Sequence, residues 1–146
     1  MKKEPIGKLI SYIHRSSQKI LAKRLAPHGI GSGGQYSFLK AVLHSPGINQ
    51  DQLTHKLKFD KATTARSIKQ LEQSGYISRT PDPNDRRSQL VYPTLKAKQF
   101  APVLQSILDD FNQRLVLHLN KEEEELLLGL LHKIGRSIES DDEPQG

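Results

Sequence analysis

Only "KFD" separates a helical pattern ending at Leu57 from another beginning at Lys61, and each pattern carries its own start signal. Asn49 with Gln52 three residues on forms a capping box ahead of Leu53 and Leu57. Asp60 can accept from the orphan amides of a helix through "KATTARSIKQLEQS", and Gly75 supplies the left-handed residue that closes it. So short a connection forces the two helices into a tight pair. "YISRT" and "QLVYPT" follow, rich in β-branched and aromatic residues, and read as antiparallel strands around the Pro/Asn-rich loop of residues 81–88. Pro93 places the second strand at an edge. Two short helices and a hairpin make a winged helix-turn-helix, whose second helix enters the major groove of DNA.

The remaining chain is helical. Ile6, Leu9, Ile10, Ile13, Ile20, Leu21 and Leu25 recur at helical spacing from Pro5 to Ala26, until "PHGIGSGG" stops them. "QYSFLKAVLH" is a second helix with Phe38, Leu39, Val42 and Leu43 as core candidates. Leu104 to Leu119 continue the period, with Pro102 near a first turn or at a kink. Asn120 and Glu123 form another capping box before "LLLGLLHKIGRSI", whose leucines and isoleucines cover more than one face and exceed what one chain can bury. The expected fold is therefore mainly α with a small β-hairpin, a winged helix-turn-helix DNA-binding lobe plus a helical dimerisation region. Its parts are an N-terminal dimerisation helix at 1–30, the lobe at 31–95, C-terminal dimerisation helices at 96–139 and a disordered acidic tail at 140–146.

Charge supports a polyanionic partner. The net charge of +6 hides a split, since residues 1–100 hold 18 Lys/Arg against 6 Asp/Glu while residues 101–146 hold 4 against 10. A basic body with an acidic end suits nucleic acid, where neutralised phosphates release counterions. The chain has no cysteine, which excludes disulfides and thiolate metal sites and agrees with a cytoplasmic location. No run reaches the ~20 apolar residues of a membrane span.

On the helix from Lys61, Ala65, Ile68 and Leu71 are expected on the buried side and Thr63, Arg66, Ser67 and Gln70 on the groove side. Arg can grip guanine bidentately, and Gln can do the same for adenine. Lys61 and Thr64 complete the recognition-helix set, and Asn49 and Gln50 are assigned to the DNA backbone. In the wing, Arg86 or Arg87 can enter the electronegative minor groove, with Asp85 beside them. Asp82, Asn84 and Asp85, with Pro81 and Pro83, stiffen the loop, and a carboxylate there can fix a guanidinium's direction.

Other chemistry finds no support. Histidines 14, 28, 44, 55, 118 and 132 show no ligand spacing, so no metal is expected. Glu122 to Glu125 suit a helix's first turn. "GIGSGG" lacks the preceding strand of a nucleotide-binding turn, and no nucleophile motif or cofactor site is visible. Neither enzymatic activity nor a cofactor is expected.

"QYSFLKAVL", "INQDQLTHKLKFDKATTARSIKQLEQSGYISR", "DPNDRRSQLVYPT" and "LNKEEEELLLGLL" resemble, in order and content, the MarR family of bacterial transcription regulators. The specific marks are the run Leu71-Glu72-Gln73-Ser74-Gly75-Tyr76-Ile77 and the wing signature Asp85-Arg86-Arg87. The segment "PTLKAKQ" departs from the Leu-Thr-x-Lys-Gly run frequent in the family. The resemblance implies a homodimer on a pseudo-palindromic operator of double-stranded DNA, more often a repressor, answering to a small-molecule effector. Dimer contacts are expected from Ile6, Leu9, Ile10, Ile13, Phe111, Leu115, Leu127, Leu131 and Ile134, and an effector crevice near Tyr12, His14 and Arg15. The competing reading is a winged-helix protein-interaction module with generic nucleic-acid contacts.

Overall fold

The computed structural model describes residues 3–141. Helix α1 runs Ile6–Leu25, with Pro5 at its cap, and a 3-10 turn over Ala26–His28 ends it at Gly29. Helix α2 spans Gln35–His44, β1 Ile48–Asn49, α3 Gln50–Leu57 and α4 Lys61–Gln73. Strands β2 (Ile77–Asp82) and β3 (Asp85–Pro93) lead into α5 (Leu95–Leu115) and α6 (Lys121–Asp141). The chain divides into two compact units between Ile107 and Leu108.

The capping signals act as the sequence indicates. Asn49 Oδ1 accepts from Gln52 N at 2.8 Å while Gln52 Oε1 accepts from Asn49 N at 3.0 Å. Asn120 and Glu123 repeat the exchange at 2.8 and 3.0 Å. Asp60 Oδ1 accepts from Thr63 N at 2.6 Å, and Gly75 has the left-handed φ of 82°. The α3–α4 turn is closed by Lys58, the one non-glycine residue with positive φ among the described residues, at 59°.

In the first unit Phe38, Leu39 and Val42 of α2 meet Leu53, Ile68, Leu71 and Val91 in a core where all are at most 1% exposed. Leu43 is only half-buried. Three expectations are corrected here. The sheet order is β1-β3-β2, so β3 is central and not an edge. Pro93 is tolerated because it is the strand's last residue, two beyond Val91, where pairing to the two-residue β1 stops. Second, the strands reach Asp82 and Asp85, leaving Pro83 and Asn84 alone as the turn in place of a long loop.

Third, of the two places expected for Pro102, the first turn is corrected, since it lies inside α5. Tertiary bonds start that helix early. Thr94 N donates to Tyr76 O at 3.0 Å, its hydroxyl donates to Gly75 O at 2.6 Å, and the same Oγ1 accepts from Ala97 N at 3.3 Å. Lys96 Nζ donates to Ser74 O at 2.6 Å and sits 4.5 Å from the Tyr76 ring centroid. The departing segment "PTLKAKQ" thus docks the start of α5 onto the end of α4.

In the second unit every side chain of α6 from Lys121 to Glu139 is exposed. Residues 140 and 141, expected in a disordered tail, belong to the last turn of this helix, and the rest of that stretch lies outside the described residues. No helix among the described residues is long and apolar enough to cross a membrane.

Candidate nucleic-acid interface

Helix α4 turns by about 100° per residue, so positions 64, 67, 68 and 71 share one side. Ile68 and Leu71 anchor that side in the core, and Thr64 and Ser67 go in with them, at 0% and 4% exposure. This corrects the expected partition. Thr64 and Ser67 leave the groove-facing set, while Ala65, expected inside, is exposed. Thr64 instead joins two helices, because its hydroxyl donates to Asp60 O at 3.0 Å and accepts from the Thr54 hydroxyl at 2.9 Å, pinning α4 to α3.

The outward face carries Lys61, Ala62, Ala65, Arg66, Lys69, Gln70 and Gln73, all exposed. Three cations stand on it with no carboxylate. Lys69 and Gln73 were not singled out from sequence, although the period that buries Ile68 and Leu71 puts them opposite. Thr63, half-buried at the edge, gives its hydroxyl to Asp60 Oδ2 at 3.0 Å. Its backbone N–H, then its hydroxyl, hold the Asp60 carboxyl below the ordinary carboxylate value. Gln70 Oε1 accepts from Gln35 Nε2 on α2. Asn49 and Gln50 sit half-buried at the α3 start, and the cap already occupies Asn49 Oδ1.

Glu72, on the flank of α4, fixes the hairpin. Arg79 of β2 donates to it through Nε at 3.0 Å and Nη2 at 2.7 Å. Hydrogen bonds from Arg79 lower the Glu72 carboxyl below its ordinary value. The pair's side chains are 28% and 38% exposed, so solvent screening keeps its contribution near ~0.5 kcal/mol. A depressed carboxyl contributes stability above its unfolded value and loses it as pH falls through the folded one. Glu72→Gln is therefore expected to lower the melting temperature slightly at pH 7, by an amount that shrinks as the pH falls below the ordinary carboxylate range, in paired thermal melts.

In the wing, Pro81 pairs with Gln89 but Asp82 pairs with Asp85, so Arg86, Arg87 and Ser88 have no residue opposite them. Asp82 Oδ1 accepts from Asn84 N at 2.9 Å and Asp85 Oδ1 from Arg87 N at 3.0 Å. These bonds stiffen the loop as expected of Asp82 and Asp85, while neither carboxylate is hydrogen-bonded to a guanidinium among the described residues, which corrects the expectation that they also fix its direction. Both arginines are exposed, and neither guanidinium has a salt-bridge partner among the described residues.

Tyr12, His14 and Arg15 are exposed on α1. A groove of about 470 Å³ is lined by Arg24, His28, Pro102, Val103, Ser106 and Ile107. Behind it Tyr76 is buried, its hydroxyl donates to His28 O, and Phe100 packs 4.8 Å from the His28 ring and 5.4 Å from the Tyr76 ring. Burial raises the Tyr76 phenol's pKa. Of the expected dimer residues, Ile6, Leu9, Ile10, Ile13, Leu115, Leu127, Leu131 and Ile134 are exposed, whereas Phe111 is already covered within its own chain, at 9% exposure. Among the described residues no group of His, Asp and Glu could hold a metal.

The MarR family model matches residues 32–89, from the approach to α2 through the wing. YybA, an HTH-type transcriptional regulator of Bacillus subtilis, is 34% identical over 108 residues, which cover 74% of this chain and 72% of YybA. The crystal structure of a MarR transcriptional regulator from Methanosarcina mazei superposes with a TM-score of 0.84 at 38% identity, over 94% of this chain and 99% of that one. A MarR family regulator from Listeria monocytogenes, solved in complex with 26-mer DNA, superposes at 0.86 with 27% identity, over 95% and 92%. With its winged helix-turn-helix between two helical ends, this chain belongs to the MarR family of transcriptional regulators.

Proposed function

We propose that the protein is a sequence-specific, DNA-binding repressor that acts in the cytoplasm as a homodimer on a pseudo-palindromic operator. One observation carries this reading: α4 turns a face with Lys61, Arg66 and Lys69 outward, and the adjoining wing presents two arginines that no carboxylate in the described chain neutralises. Arg66 is placed to read base edges, with Gln70 beside it, and Lys61 and Lys69 to meet phosphates. Arg86 and Arg87 would follow the narrow minor groove, as arginines do where its potential is most negative. The start of α3, with Asn49 and Gln50, would face the DNA backbone.

Burial supports a division of labour. Residues 31–95 read DNA, while residues 1–30 and 96–139 join the two copies through the apolar faces of α1 and α6. A two-fold dimer would set its α4 helices about 34–36 Å apart, one turn of B-form DNA. A small anionic or aromatic effector in the groove of Arg24 and His28 would regulate binding only if it favoured a spacing that fits DNA poorly.

Selection from a random duplex pool, followed by anisotropy titrations at matched salt, tests the proposal. The expected product is an inverted repeat bound far more tightly than random duplex. Equal affinity for both would overturn the specific-regulator reading and leave the protein-interaction module in its place.

A further inference from the structure

We propose that Gln35, buried on α2, decides which bases Gln70 can read. The inference rests on the assignment of α4 as the reading helix. A backbone N–H can only donate, and Gly31 N donates to Gln35 Oε1 at 3.0 Å. This fixes which way the Gln35 amide faces: its oxygen is turned to Gly31, so its Nε2 must point the other way, where it donates to Gln70 Oε1. Gln35 is only 5% exposed, so it is shielded from the water that would let it turn over. The direction set at Gly31 therefore passes through two side chains to the protein surface.

Gln70 is exposed and stands one turn beyond Arg66. A free carboxamide presents an acceptor and a donor, the pair that matches adenine N6 and N7. With its oxygen drawn inward, Gln70 offers the groove its NH2 group instead. Two donors match acceptors: O6 and N7 of guanine, or O4 of thymine. Against cytosine the NH2 group meets another donor, and against adenine it satisfies N7 while leaving N6 opposed. Gln70 thus favours guanine or thymine, contrary to the adenine pairing that a glutamine suggests from sequence. Gly31 is part of the device, because a Cβ there would lie 2.6 Å from Gln35 Nε2 and displace the amide.

Duplex selections with the full-length protein and four variants test this. The base read by Gln70 is the position whose preference flattens in Gln70→Ala. Wild type is expected to favour guanine or thymine there by about fivefold, the worth of one hydrogen bond. In Gln35→Glu at pH 8, the carboxylate accepts from both Gly31 N and Gln70 Nε2, which turns the Gln70 oxygen outward. The preference should then move to cytosine or adenine by a similar factor. Gln35→Leu releases Gln70 and should admit adenine, and Gly31→Ala should do the same from the relay's far end if a Gln35 variant fails to fold, as circular dichroism would report. A wild-type preference for adenine, an unchanged preference in the folded relay variants, or a Gln70→Ala profile that alters no position would each overturn the relay. Those results leave sequence-specific binding intact, whereas wild type without any base preference would sink the DNA reading and the relay with it.

Discussion

The double substitution Leu127→Glu and Leu131→Glu is expected to convert the protein to a monomer and to weaken binding to a two-half-site operator by about 100-fold or more. Leu127, Leu131, Ile134 and Ile138 follow one another at steps of four, three and four along α6, a single stripe. All are exposed, from 38% for Ile134 to 63% for Ile138, and Leu126, Leu128 and Leu130 widen the patch beside them. Exposed apolar surface of this extent is uncommon on a monomer and marks an interaction surface. Carboxylates on the stripe would have to be desolvated opposite their own symmetry mates, at a cost of several kcal/mol that a dimer of ordinary size does not offset. The loss in DNA affinity follows from linkage: a second half-site held at millimolar effective concentration multiplies affinity by about 10²–10⁴, and a monomer forgoes this. Sedimentation equilibrium at micromolar concentration and anisotropy on one-half-site and two-half-site duplexes measure both effects. Affinity for the single half-site should change little, because the lobe's core from Phe38 to Val91 contains no residue of α6. A variant that stays dimeric would refute the assignment of this stripe.

How much of this was legible in the sequence depends on the range of each interaction. Asn49–Gln52, Asp60–Thr63 and Asn120–Glu123 are local exchanges over three residues, and the sequence places all of them. Helix α2 is likewise found at its observed bounds, because Gly34 and Ser45-Pro46-Gly47 punctuate it on both sides. The errors lie where distant residues decide. Thr64 and Ser67 look like surface residues by composition, yet the period set by Ile68 and Leu71 takes them inside, and Thr54 on another helix bonds to Thr64 there. Pro102 reads as a first-turn residue or a kink, and only Thr94 and Lys96, bonded to Gly75 and Ser74, exclude the first turn by beginning α5 ahead of it. Strand β1 has two residues, too few for any alternation to show. The Gln35 relay joins positions 35 residues apart, and a glutamine after a glycine-rich loop carries no mark of burial. The excess of apolar residues in α6 was evident without coordinates, since counting faces on a helix needs none.

Arg87→Ala is expected to weaken operator binding about tenfold, and Arg86→Ala with Arg87→Ala about 100-fold, with a matching change in salt dependence. The register slip between Pro81 and Asp82 is the cause: three residues of β3 bulge without partners, and two of them are these arginines. The neighbouring carboxylates hold the Asn84 and Arg87 amides and so shape the bulge, leaving the guanidinium charge to a ligand. Each arginine that enters the minor groove or touches phosphate adds about 0.9 to the slope of log affinity against log salt. The single variant should therefore lower that slope by about one and the double by about two, measured between about 50 and 200 mM salt on the selected duplex. Asp85→Ala gives the complementary test, since it removes the acceptor from Arg87 N without touching either positive charge. It should reduce affinity through a looser bulge, by less than Arg87→Ala, while the salt slope stays as in wild type. A slope unchanged in the double arginine variant would show that the wing does not meet DNA, whatever α4 reads.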